Sequence, residues 1–159
     1  MSTKYQIPEG FRIVSGGQSG ADQAALDWAI AHQVDHGGWC PKGRRAEHGP
    51  IDARYQLAET PNTNYLERTE WNVRDSDATV IFTLADQLIG GSLRTAGFAT
   101  KLRKPCLHIS ARVAPKHLVS FLAEHSVRTL NVAGNRESVA PGIYVRVLEV
   151  LSEALILAK

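Results

Sequence analysis

Apolar positions along the chain alternate between two periods. Short β-branched runs at Phe11–Ser15 (Phe-Arg-Ile-Val-Ser), Ala78–Thr83 (Ala-Thr-Val-Ile-Phe-Thr), Cys106–Ile109 and Val127–Val132 read as strands. Segments with helical spacing lie between them. Ala21, Ala24, Ala25, Trp28 and Ala29 fall at i, i+3, i+4, i+7 and i+8, one face of an amphipathic helix. Further helices are expected over Asn64–Val73, over Leu93–Arg103 before Pro105, from Pro115 to His125, and at the end through Tyr144, Val147, Leu148, Leu151 and Leu155. Gly37–Pro41 holds a brief strand around Trp39 and Cys40, followed by a polar, proline-punctuated loop from Pro41 to Asn62. A loop that long in a compact domain is expected to be functional or disordered.

Strand, helix, strand, helix through the whole chain predicts one α/β domain over residues 1–159. It is doubly wound around a mainly parallel sheet of about five strands, with helices on both faces. Right-handed crossovers bring every loop that follows a strand to one edge of such a sheet. Ligands bind in the crevice outside those carboxyl ends. Four loops there have unusual composition: Gly16–Asp22, Pro41–His48, Gly90–Thr95 and Gly134–Ser138.

The first of these, Ser-Gly-Gly-Gln-Ser-Gly-Ala-Asp over 15–22, runs from a strand into a helix. Backbone amides and the positive end of a helix dipole converge there, the makings of an anion cradle. Gly16 and Gly17 would equally serve a plain tight turn. The loop lacks the Lys-Ser/Thr ending of a P-loop and the spacing of a dinucleotide fingerprint. Ser19 and Asp22 have capping-box spacing. Gly90, Gly91 and Ser92 with Thr95 form a possible second cradle, with a serine N-cap as the plain alternative. Lys42, Arg44, Arg45 and Arg136 are cations able to close over an anion, or a solvated loop face. Arg68, Asn72 and Asp75 share one helical stripe, while Tyr65, Thr69 and Val73 form the neighbouring, packed one.

Composition narrows the function classes. A net charge of +2 over 159 residues gives no global field for nucleic acid or membrane. No apolar run approaches the roughly 20 residues of a bilayer span, and the first residues lack the apolar core of a signal peptide. Cys40 and Cys106 have neither metal nor disulfide spacing, so a reduced, cytoplasmic protein is expected. The six histidines show no zinc spacing, and no nucleophilic triad can be assembled. Neither a catalytic nor a metal-ligating residue is expected.

Several of these stretches together resemble the molybdenum cofactor carrier proteins. The resemblance runs through Ser15–Asp22, Gly38–Glu47, Arg68–Asp77, Gly90–Ser92 with Thr95, and Leu130–Ser138, and extends to the last helix. Ser19 and Ser92 stand where that family more commonly has threonine, and keep the hydroxyl. The resemblance implies a Rossmann-like fold, related to the lysine-decarboxylase-like and cytokinin-activating phosphoribohydrolase proteins. It implies a homo-oligomer, a dimer or tetramer, that holds the molybdenum cofactor, protects it, and passes it between cofactor biosynthesis proteins and molybdoenzyme apoproteins. On this reading the pterin cofactor is bound by Gly16, Gly17, Gln18, Ser19, Gly20, Asp22, Lys42, Arg44, Arg45, Asn72, Gly90, Gly91, Ser92, Thr95, Asn131, Gly134 and Arg136. Molybdate, phosphate or sulfate would fit the same amides. The alternatives are a nucleoside-monophosphate phosphoribohydrolase and a nucleotide-ligand sensor. In the hydrolase signature Gly-Gly-x-Gly-Thr-x-x-Glu, the glutamate falls on Gly97 and the third glycine on Leu93. The expectation is therefore a carrier rather than an enzyme.

Overall fold

In the computed structural model of the chain, residues 3–157 are described, so the outermost residues of the expected domain lie outside them. The elements in order are β1 (Tyr5–Gln6), β2 (Arg12–Val14), α1 (Ala21–Ala31), β3 (Asp35–Gly37), β4 (Trp39–Cys40), β5 (Ala58–Glu59), α2 (Tyr65–Arg74), β6 (Ala78–Phe82), α3 (Gly90–Leu102), β7 (Cys106–Ile109), α4 (Lys116–His125), β8 (Thr129–Gly134), α5 (Ile143–Ala154) and β9 (Leu155–Ile156). β3, β2, β8, β6 and β7 form a five-stranded sheet in that order, parallel at every pairing. This is a Rossmann-like α/β fold.

Alternation along the strands divides the core. Ile13, Val80 and Phe82 join α1, α4 and α5 in one apolar cluster built on Ala24, Ala25, Trp28, Leu122, Val147 and Leu151. α1 packs against α5 on that side, and α2 against α3. All five residues of β6 are buried, which is why its sequence is a continuous apolar run rather than an alternating one.

The strand order has a specific meaning. Counted from β8 as the first strand, the order β3-β2-β8-β6-β7 becomes 3-2-1-4-5, the arrangement of a Rossmann sheet. The chain is thus cut between α5 and β2, in what would be the crossover from the first to the second strand. β1 and β9 pair in parallel at the cut, Tyr5 beside Leu155 and Gln6 beside Ile156. Leu155, expected on the closing helix, belongs to this small pairing instead. Its backbone is extended at the helix C-cap, so it leaves the helix to join β1.

The Gly37–Pro41 strand is two strands. β3 ends at Gly37 in the main sheet, and β4 pairs with β5 outside it. Gly38, with φ of +125°, makes the break, and a Cβ there would stand 2.7 Å from the Ser15 amide nitrogen. The Pro41–Asn62 segment is ordered by its own small core, in which Leu26, Cys40, Ile51 and Tyr55 are buried. Arg44 fastens it by donating to the carbonyls of Ile51, Asp52 and Tyr55. Tyr55 and Tyr144 both donate to the Asp27 carboxylate. Their burial, and hydrogen bonds to a negative partner, push both phenols up to about 12. The segment is further held where the Gln56 amide donates to Nε2 of His36 at 3.1 Å.

Two outcomes follow for stability. Gly134→Ala would place a methyl group on the Phe82 carbonyl oxygen and 2.8 Å from the Ala21 Cβ. It is expected to cost about 3 kcal/mol by strain and overpacking, read as a lower urea midpoint at unchanged slope. The second outcome concerns His36, whose pKa is lowered by burial and then by Arg12. Its neutral ring accepts the Gln56 bond, so the folded state binds fewer protons than the unfolded chain below the unfolded histidine value of about 6.5. Stability is full above that value and is lost as pH falls toward the lower folded pKa. Thermal midpoints recorded across this window should slope less in His36→Gln than in the parent protein.

Candidate functional site

A cavity of about 630 Å³ opens at the carboxyl ends of β6 and β8, within the size range of small-molecule sites. β8 continues toward α5 and β6 toward α3, on opposite faces of the sheet, so adjacent strand ends diverge and leave a crevice. All four sequence-flagged loops contribute: Gln18 and Asp22, Arg45, Gly90 to Ser92 with Arg94 and Thr95, and Gly134 to Arg136. A fifth wall comes from the first turns of α2 through Asn64, Tyr65, Arg68 and Thr69.

α2 is positioned by its cap. The Asn64 side chain accepts from the amides of Leu66 and Glu67, satisfying two of the amides a helix start leaves free. Tyr65, Arg68 and Thr69 then share the face that projects past the sheet edge. Tyr65 and Thr69, expected in a packed stripe with Val73, line the cavity, while Val73 is fully buried. A helix that runs from the ligand edge down to the opposite edge has different neighbours at its two ends, which periodicity does not encode.

The glycine turn after β2 is closed rather than open. Gly16, Gly17 and Gly20 are buried, and their missing side chains make room for protein. A Cβ on Gly16 would overlap the Arg68 guanidinium; on Gly17 it would stand 2.6 Å from Leu57 Cδ1; on Gly20, 2.6 Å from the Glu137 amide. Among the expected contributors from this turn, only Gln18 and Asp22 reach the cavity. The expected capping box is also replaced. Gly20 is the N-cap of α1, without a side-chain cap. The Ser19 hydroxyl donates to Glu47 at 2.7 Å, and Asp22 accepts from the Gln18 amide at 3.1 Å. An internal carboxylate therefore takes the place expected for a ligand anion.

Arg68 meets that carboxylate at 3.4 Å, with side chains 14% and 5% exposed. Burial pushes the Asp22 carboxyl up, against Arg68 and the Gln18 amide, which pull it down. Burial likewise lowers Arg68, opposed by Asp22. Glu47 joins three loops by accepting from Ser19 and Ser138 and lying 3.9 Å from Arg136. Those two hydroxyls hold its pKa below the ordinary glutamate value.

The start of α3 is open. Its N-cap, Ile89, contributes no side-chain bond, and a Cβ at Gly90 or Gly91 would meet nothing within 4 Å. The first amides of a helix have no partner within it and carry the positive end of its dipole. Ser92 and Thr95 also line the cavity, although the Thr95 hydroxyl donates back to the Gly91 carbonyl. The exposed side chains of Leu66, Ile89 and Val139 border the mouth.

Four further expected site residues do not line the cavity, and three of them serve the frame. Arg44 clamps its own loop, and the exposed Lys42 does not line the cavity. Asn72 spends both ends of its amide on Trp39, accepting from its nitrogen and donating to its oxygen. Asn131 lies inside the sheet, donating to Thr79 across from β8 to β6. Sequence reasoning also passed over Arg94 and Asn135, whose neighbours Thr95 and Gly134 carried the only local signal.

The permuted strand order has a counterpart in sequence. Residues 13–155 match the model of the circularly permutated YpsA SLOG family. The chain belongs to that family. A crystal structure from Syntrophus aciditrophicus SB, of a protein provisionally named a molybdenum carrier, is 44% identical to this chain. The match covers 95% of this chain and 96% of that one, with a TM-score of 0.88. This neighbour supports the family resemblance drawn from the motifs. A diphosphate reductase of the non-mevalonate pathway aligns at 15% identity over 91% of this chain and 60% of that one. Its TM-score of 0.41 carries no argument. No curated protein matches. Among the described residues, no helix is long and apolar enough to cross a membrane, and no cluster of three or more His, Cys, Asp or Glu side chains is arranged to hold a metal ion.

The buried pair makes a quantitative test of this SLOG site. Arg68→Met leaves the buried Asp22 carboxyl without its cation and with the Gln18 amide as its remaining donor, at an expected cost of about 3 to 5 kcal/mol. Asp22→Asn combined with Arg68→Met should recover a large part of it. Urea denaturation of the single and double variants measures the coupling; strictly additive losses would mean the pair is not coupled.

Proposed function

We propose that this protein is a carrier that holds the molybdenum cofactor, a phosphate-bearing pterin, in the cavity between the ends of β6 and β8. The observation that carries this reading is the charge of the walls. Arg45, Arg68, Arg94 and Arg136 face the cavity against Asp22, the one carboxylate that lines it among the described residues. The open amides of Gly90, Gly91 and Ser92 would receive the phosphate, as helix starts commonly do. Arg45, Arg94 and Arg136 would add charge and forked hydrogen bonds. Gln18, Asn135 and Thr69 are the neutral polar groups near which the pterin would lie. Molybdate, phosphate and sulfate would occupy the same amides singly.

Retention rather than turnover is supported by where carboxylates are absent and how the present ones are used. Gly97 is exposed on α3 and does not line the cavity. Asp22 is committed to Gln18 and Arg68, Glu47 to Ser19 and Ser138, Asp75 to Arg74 and Trp39, and Glu137 to the amides that start α5. Each of these carboxylates already has partners within the protein. The partners of such a carrier would be the proteins that make the cofactor and the apoenzymes that take it.

Protein co-expressed with cofactor biosynthesis should be purified with molybdenum and a pterin that fluoresces after oxidation, in matching amounts. Arg45→Ala with Arg136→Ala should lower both by at least about fivefold. Protein that carries neither, yet releases free base from nucleoside monophosphates, would overturn the carrier reading.

A further inference from the structure

Tyr65 lines the cavity at the first position of α2, and three guanidiniums surround its ring. The Arg45 and Arg136 carbons lie 4.6 and 4.7 Å from the ring centroid and that of Arg68 lies 5.7 Å away. Like charges gathered this closely repel one another, so something must hold them. Part of the compensation is ionic: Asp22 pairs with Arg68 and Glu47 with Arg136. Arg45 donates only to a neutral group, the Thr63 carbonyl, at 3.0 Å. Among the described residues, no carboxylate pairs with Arg45 or with Arg94 on the opposite wall. The aromatic face attracts a cation without neutralising it. It holds the guanidiniums in place and leaves the charge of Arg45 for a ligand.

The geometry points to Tyr65 as the positioning residue of this cavity, its ring face gathering Arg45, Arg68 and Arg136 into a site that selects a dianionic oxyanion over a monoanionic one. The inference rests on the anion-site reading above and adds two things to it. The preferred charge follows from the two cations left without carboxylate partners, Arg45 and Arg94. The positioning role belongs to the π face of Tyr65 and not to its hydroxyl.

Titration calorimetry at low ionic strength with sulfate and perchlorate, tetrahedral anions of charge two and one, tests the charge preference. Sulfate should bind at least about tenfold more tightly. On sulfate, Tyr65→Leu should weaken binding about tenfold and Tyr65→Phe should stay within about threefold of the parent, because phenylalanine keeps the ring face. Equal binding of the two anions would overturn the selectivity. Leucine binding as well as tyrosine, or phenylalanine failing as badly as leucine, would overturn the role of the ring face. A parent protein that binds neither anion would overturn the anion site itself and this inference with it. Loss of sulfate binding in Arg45→Ala without loss in Tyr65→Leu would remove Tyr65 alone.

Discussion

The opposite departures of β6 and β8 govern what this molecule can do. The two strands are hydrogen-bonded neighbours, and their continuations pass to different faces of the sheet. A crevice between them follows from this divergence. The cavity is thus a consequence of topology, available before any side chain is chosen. The permutation leaves this intact. The cut falls in a crossover remote from the crevice, where β1 and β9 rejoin the ends.

What lines the crevice is decided by how helices present their ends. The helix after β6 offers free amides at Gly90 and Gly91 because its start carries no capping side chain. The helix after β2 does not, because its glycine turn is filled by Arg68 and by neighbouring loops. Two turns that look alike in sequence therefore divide the work. One is a buried wall that anchors an arginine, and the other is an open surface. The Arg68 guanidinium over Gly16 also explains why the first wall tolerates no side chain there. Asp22 answers that charge from inside, which leaves Arg45 and Arg94 for a ligand.

The architecture and the four converging loops were legible in the chain because both rest on local rules. Apolar periodicity marks strands and helices one segment at a time, and right-handed crossovers then fix the edge at which the loops emerge. Expected site residues that fall outside the cavity include ones whose hydrogen bonds are made far away in sequence. Asn72 has the stripe of a surface helix, yet its amide is spent on Trp39, 33 positions away. Arg44 neighbours Arg45 and is chemically its twin, but one clamps a loop from within and the other faces the cavity. Tyr65 and Arg68 were passed over for the converse reason. They share helix faces with Val73 and Asn72, which are buried.

The sequence by itself determined the parallel α/β fold, the edge at which a ligand would lie and the family to which the chain belongs. Each of these depends on local spacing or on motifs that survive as strings. Only the tertiary structure decided which glycine loop is open and which is closed. It alone decided which arginines keep their charge available, and that an aromatic ring on α2 stands among them. Openness and free charge depend on which atoms from distant segments already fill a space or answer a charge. That is a property of the packed molecule, and no local pattern records it.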